Sequence, residues 1–165
     1  MAWTTPRSWV VAETVTAAIL NAHLRDNLLA VDDHETFTSY TPVLTASTSN
    51  PTLGSGSSQL GFYIQTGNIT HYWFRVAFGT SGTAAGTGNY QISLPVDCSF
   101  VIATQAAGAG WIYDSSGTDR YLVSYTTGAA TFLLIRYDNG TVAAAAPFAW
   151  GASDVISGYV QYRSA

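Results

Sequence analysis

The chain has 165 residues, a formal net charge of −4, only 10% charged residues and no lysine. Six scattered arginines make no basic stripe able to replace counterions along phosphates, which excludes nucleic acid as a partner. The lone Cys98 excludes an internal disulfide and a thiolate metal site, and is expected as a small buried side chain.

The hydrophobic fraction of 47%, with 13% aromatic residues, is enough for the core of one domain plus an appendage. Against a usual charged fraction of roughly 25%, the surface is neutral and rich in hydroxyls, and poorly protected against association. No leader peptide is expected, because the start is not basic and Glu13 interrupts the apolar run Trp9-Val10-Val11-Ala12. No stretch reaches the roughly 18 apolar residues of a membrane span; residues 142–150 come nearest.

Residues 1–15 read as an extended arm. Pro6 fixes its own φ and pushes Thr5 out of the helical region. Trp3 and Trp9 carry rings that so short a segment cannot bury against itself, so they pack on the chain's own domain or on a partner. Thr16 is placed to cap a helix running to about Val31. Leu20, Leu24, Leu28 and Val31 recur at helical spacing along one stripe. Asn27, at its edge, is positioned to hydrogen-bond across a symmetric helix contact and fix its register. Two heptads are marginal alone, so the helix needs support from elsewhere. Asp32-Asp33-His34-Glu35 reads as a solvated helix end, since consecutive residues at a joint do not converge on one metal ion.

From residue 37 onward the pattern is β. Strands are expected at 43–48, 60–66, 69–79, 90–94, 100–105, 110–113, 121–125, 132–137, 141–145 and 155–162, separated by Gly, Ser, Asn and Pro clusters. Gly67-Asn68 and Asn139-Gly140 mark tight hairpin turns. In the strand after Gly67-Asn68, Thr70, Tyr72, Phe74, Val76 and Phe78 share the expected core face, with Ile69, His71, Trp73 and Arg75 opposite. Two loops of small residues, 47–58 and 79–89, are expected at the surface. The fold class that follows is mainly β: a β-sandwich or jelly roll (37–165) preceded by an extended arm and one α-helix (1–36).

Chemistry is hard to find. No serine elbow, P-loop, dinucleotide fingerprint or zincin motif is present. Asp97, Asp114, Asp119, Asp138 and Asp154 fall at turns or strand ends, where aspartates cap or stay solvated. Residues 114–119 lack the alternating oxygen ligands of a calcium loop and read as a hairpin turn. His23, His34 and His71 are scattered. Neither an enzyme nor a cofactor or metal site is expected. Trp73, Trp111, Tyr113 and Trp150 would form a sugar platform if they shared an exposed face; the other reading for Trp73, Trp111 and Trp150 is core or interface.

The arm and helix carry a resemblance. Trp3-Thr-Thr-Pro6-Arg-Ser-Trp9, followed by Thr16-Ala-Ala-Ile-Leu20-Asn21-Ala-His23-Leu-Arg25-Asp26-Asn27-Leu28, resembles the N-terminus of small virion proteins of tailed bacteriophages. Tyr40-Thr-Pro42, Asn50-Pro51-Thr-Leu-Gly54, Phe78-Gly79-Thr and Ile92-Ser-Leu-Pro95 are similar, more loosely, to a β domain that follows it there. The resemblance covers about the first 95 residues. It implies a virion location, homotrimers, and an arm and helix that anchor an outward β domain. On that basis the expected partners are further copies of the chain and another virion protein, foremost the major capsid protein. The alternative is a tail-tip or tail-fibre adhesin that binds host-surface glycans. The expected anchor comprises Trp3, Pro6, Trp9, Leu20, Leu24, Asn27, Leu28 and Val31.

Overall fold

The computed structural model describes residues 4–5, 7–33, 36–99, 106–138 and 140–165. The expected anchor residues Trp3 and Pro6, the expected strand 100–105, the pair His34-Glu35 and the turn residue Asn139 lie outside them. The protein is mainly β, with, among the described residues, a single short helix near its start. It divides into two compact units, Met1–Phe37 and Thr38–Ala165.

In the first unit the arm is not uniformly extended. It turns at Val10–Glu13, where the Glu13 N–H donates to the Val10 carbonyl at 3.1 Å. Ala12 sits there at φ +64°. Glu13 holds the turn with its carboxylate, accepting from the Val10 N–H and pairing with Arg7, whose guanidinium lies 5.2 Å from the Trp9 ring centre. The helix covers residues 17–33. Thr16 caps it, its Oγ1 accepting from the Ile19 N–H at 3.3 Å. An α-helical turn, α1 (Ala17–Leu20), passes through a π-helical turn (Asn21–Arg25) into α2 (Asp26–Asp33). Ile19, Ala22, His23, Asp26, Asn27 and Ala30 form the less exposed face, small or polar apart from Ile19, while Leu20, Leu24, Leu28 and Val31 lie outward.

The second unit is one curled antiparallel sheet. Its strands are β1 (Thr38–Tyr40), β2 (Leu44–Ala46), β3 (Ser58–Thr66), β4 (Ile69–Ala77), β5 (Tyr90–Ser93), β6 (Ala106–Asp114), β7 (Asp119–Ala129), β8 (Phe132–Tyr137), β9 (Gly140–Thr141) and β10 (Val155–Arg163). The order across the sheet is β1-β3-β4-β10-β6-β7-β8-β5-β2, with β9 on β8. Strands β1 and β2 therefore stand at opposite ends of the sheet although only residues 41–43 separate them. Four backbone steps reach at most about 14 Å, so the sheet must curl until its ends nearly meet. Ser93 clasps the seam: its Oγ accepts from the Val43 N–H at 2.8 Å and lies 2.8 Å from Tyr40 Oη. The result is a barrel-like β-sandwich.

The turns follow the local sequence. Thr66 pairs with Ile69 across Gly67-Asn68, with Gly67 at φ +60°. The second expected hairpin is shifted: Gly140, expected in the turn, pairs with Tyr137 as a strand residue, and Asp138 stands after Tyr137 at φ +48°. The two small-residue loops run against each other, with bridges Ser49–Thr87, Thr52–Ala84 and Ser55–Ser81. Their backbone groups are thus satisfied by pairing, while Leu53 and Ala85 pack against the core. The core face of β4 is the expected one, with Thr70, Tyr72, Phe74, Val76 and Phe78 all buried, and Cys98 is buried as well. Tyr90, Tyr125, Ile112, Ile135 and Ile156 complete the interior.

Candidate functional site: an aromatic groove on the sheet and a leucine face on the helix

Tyr72, Phe74 and Val76 of β4, Ile156, Val160 and Tyr162 of β10 and Ile112 of β6 point inward, as a core requires. Several outward residues are large and apolar too, and nothing in strand chemistry requires that. Register fixes the arrangement. Phe62, Trp73, Tyr159 and Ala109 form one row across β3, β4, β10 and β6; Leu60, Arg75, Ser157 and Trp111 form the next. Ala109 and Ser157 are short, so the middle of the face sinks between the rings. The resulting groove, of about 490 Å³, is lined by Leu60, Phe62, Trp73, Arg75, Trp111 and Tyr159. That volume falls in the roughly 300–1,000 Å³ range of small-ligand sites.

Trp73 and Trp111 are each 38% exposed. Trp73 and Tyr159 lie ring to ring at 4.9 Å, and His71 stacks beside both at 6.4 and 6.2 Å. His71 Nδ1 and Tyr159 Oη are 2.7 Å apart, which fixes both rings. Arg75 donates to Ser58 Oγ at 3.0 Å, and Arg120 lies over Trp111 at 5.5 Å. Trp150 does not belong to this face. It is 6% exposed and packs on Phe78, Tyr90 and Phe148 inside the core, so no sugar can reach it. Leu60, Phe62 and Tyr159 were not among the expected site residues. Their signal was available: each is apolar at a position whose strand neighbours point into the core.

The acids do structural work in turns. Asp114 Oδ1 accepts from Ser116 Oγ and from the Ser116 and Gly117 N–H groups, which holds its carboxyl below the usual carboxylate range. Asp154 accepts from the Ser115 and Gly151 N–H groups. Among the described residues no three of His, Cys, Asp or Glu come together as metal ligands. No described helix is long and apolar enough to cross a membrane.

The first unit presents the other feature. Trp9, Val10, Val11, Val15, Leu20, Leu24, Leu28, Leu29, Val31 and Phe37 make up ten of the seventeen exposed large hydrophobic residues among those described. Val11, at the tip of the arm's turn, is 101% exposed. Asn27 is corrected: it is buried and bonded to the backbone of Thr4 and His23, so its amide is not available to a neighbouring helix. Comparison with protein-family models, curated proteins and solved structures finds no match to this chain.

Proposed function

We propose that this chain is a non-enzymatic structural subunit of a tailed-bacteriophage virion, a homotrimeric capsid decoration or head-fibre protein. The arm and helix seat it on the major capsid protein. The observation that carries this reading is the apolar display on residues 9–37, set beside a β unit with its own closed core. Soluble chains rarely leave so much large apolar surface uncovered unless a partner covers it. Burial of each large side chain supplies on the order of 1.5–3 kcal/mol, and three copies held together add avidity without a strong single contact. The virion assignment itself comes from the sequence resemblance of the arm and helix. The test is deletion of residues 1–15: incorporation into particles should be lost while the sheet's circular dichroism persists. Normal coating by the truncated chain defeats the proposal.

A second reading is favoured by the groove: an adhesin that binds host-surface glycans through Trp73, Trp111 and Tyr159. Rings held half-open around a hollow suit a ligand that offers an apolar face and a polar rim. The two readings are compatible, since they use separate units of the chain.

A further inference from the structure

We propose that the groove binds a carboxylated pyranose, its ring stacked on Trp73 and Tyr159 and its carboxylate held by Arg75. This rests on the glycan reading and sets the charge of the ligand.

The first argument is electrostatic. The chain as a whole is acidic, at −4. On β3, β4, β6, β7 and β10 the only carboxylates are Asp114 and Asp119, at the β6–β7 hairpin. Asp114 is occupied by its own turn. The same five strands carry Arg75, Arg120 and Arg163, all exposed. Arg75 lines the groove, and its hydrogen bond goes to the neutral Ser58 hydroxyl. A guanidinium beside an apolar hollow, with no ion pair to a carboxylate among the described residues, is complementary to an anion.

The second argument is spacing. Arg75 and Trp73 point outward from one strand two residues apart, roughly 7 Å along it. A single sugar ring lying on the indole brings a substituent carboxylate within reach of the guanidinium. Its C–H groups meet the negative face of the ring. Ser157 Oγ, opposite Arg75 in register, donates to the Trp111 carbonyl at 3.4 Å and offers its lone pairs to a hydroxyl on the sugar's rim.

The third argument is size. The five large exposed side chains of the groove offer roughly 400 Å², given 150–250 Å² for a fully exposed aromatic. A stable protein interface needs about 800 Å² per partner. The hollow therefore fits a small ligand better than a second copy of the chain.

The test uses the full chain, with binding followed by tryptophan fluorescence. The probes are oligogalacturonate, its methyl ester, a sialylated lactose, plain lactose and a proline-rich peptide. At least one of the two carboxylated sugars should bind, and which one does identifies the source of the acid. Its neutral counterpart should bind about tenfold more weakly, as expected for loss of one charge-assisted hydrogen bond. Arg75→Gln should erase that difference by weakening the acidic sugar, and added salt should weaken the acidic sugar alone. Trp73→Ala should weaken all sugars at least tenfold, with the sheet's circular dichroism unchanged. Equal binding of acidic and neutral sugars, indifferent to Arg75→Gln, overturns the charge assignment but keeps the glycan reading. Binding of none of the sugars, or of the proline-rich peptide alone, overturns both.

Discussion

Asn27 closes both ends of its carboxamide on one residue of the arm. Its Oδ1 accepts from the Thr4 N–H at 2.9 Å and its Nδ2 donates to the Thr4 carbonyl at 3.0 Å. The side chain thus replaces a strand neighbour, satisfying two backbone groups that would otherwise need water. It also donates to the His23 carbonyl at 3.3 Å, in the π-helical turn, where the backbone ladder is irregular.

Asn27→Ala should therefore release the arm without unfolding the sheet. Limited proteolysis should cut within residues 1–15 several-fold faster, while thermal unfolding of the β unit stays within about 1 °C of the parent, because the bonds lost all lie within the first unit. Unchanged cleavage would mean that the Thr4 bonds do not hold the arm.

Two buried tyrosines should respond in opposite ways to loss of their hydroxyls. Tyr125 Oη donates to the Ser157 carbonyl at 2.9 Å, whereas Tyr72 Oη, equally buried, meets no hydrogen-bond partner among the described residues. An unsatisfied buried hydroxyl costs about 1–3 kcal/mol, and a made hydrogen bond contributes about 1 kcal/mol. Tyr72→Phe should hold or raise stability, and Tyr125→Phe should lower it by about 1 kcal/mol, as urea unfolding would read. A loss at Tyr72 equal to that at Tyr125 would contradict the difference.

What was legible from sequence was periodicity. Alternation in β4 put Thr70, Tyr72, Phe74 and Val76 inside because a single residue of slippage would have exposed them all. Gly67 and Thr16 announced a turn and a cap through local chemistry alone. Closure of the sheet was not legible: it depends on β10 inserting between β4 and β6, which no local signal encodes. The Thr38–Tyr40 edge strand is too short to show alternation. The aromatic clusters were half legible. Trp73 was assigned correctly to the outward face, but Trp150 lies outside any regular strand, so no alternation told which way it pointed.

The buried tyrosines also set the alkaline limit. Burial pushes the hydroxyls of Tyr72, Tyr90, Tyr125 and Tyr162 well above the ordinary tyrosine value. In the unfolded chain they ionise near pH 10. Their contribution to stability is fully present below that pH and is lost as pH rises toward the raised folded values. Tyrosinate absorbance from these four should appear together with loss of the sheet's circular dichroism. Complete tyrosine ionisation with the sheet intact would refute this. Asp114 works in the other direction: its lowered carboxyl stabilises above the ordinary aspartate range and ceases to as pH falls through its folded value. Asp114→Ala should remove that part of the acid dependence.

Two glycines separate a packing requirement from a permissive site. Gly158 sits on β10 with Tyr125 packed where a side chain would be; a Cβ there would lie 2.8 Å from Tyr125 Cζ and 3.0 Å from its Oη. The Tyr125 ring cannot swing aside without giving up its bond to the Ser157 carbonyl. Gly158→Ala should therefore cost about 1–3 kcal/mol as overpacking, and more if the hydrogen bond breaks. Gly151 has no atom within 4 Å of such a Cβ and is not among the positive-φ residues. Its N–H donates to Asp154 Oδ2 at 2.7 Å, a bond that alanine keeps. Gly151→Ala should be neutral or stabilise by about 0.4–1 kcal/mol, through a less flexible unfolded chain. Urea midpoints of the two variants should move in opposite directions. A neutral Gly158→Ala would mean that Tyr125 does not fill the barrel interior as described.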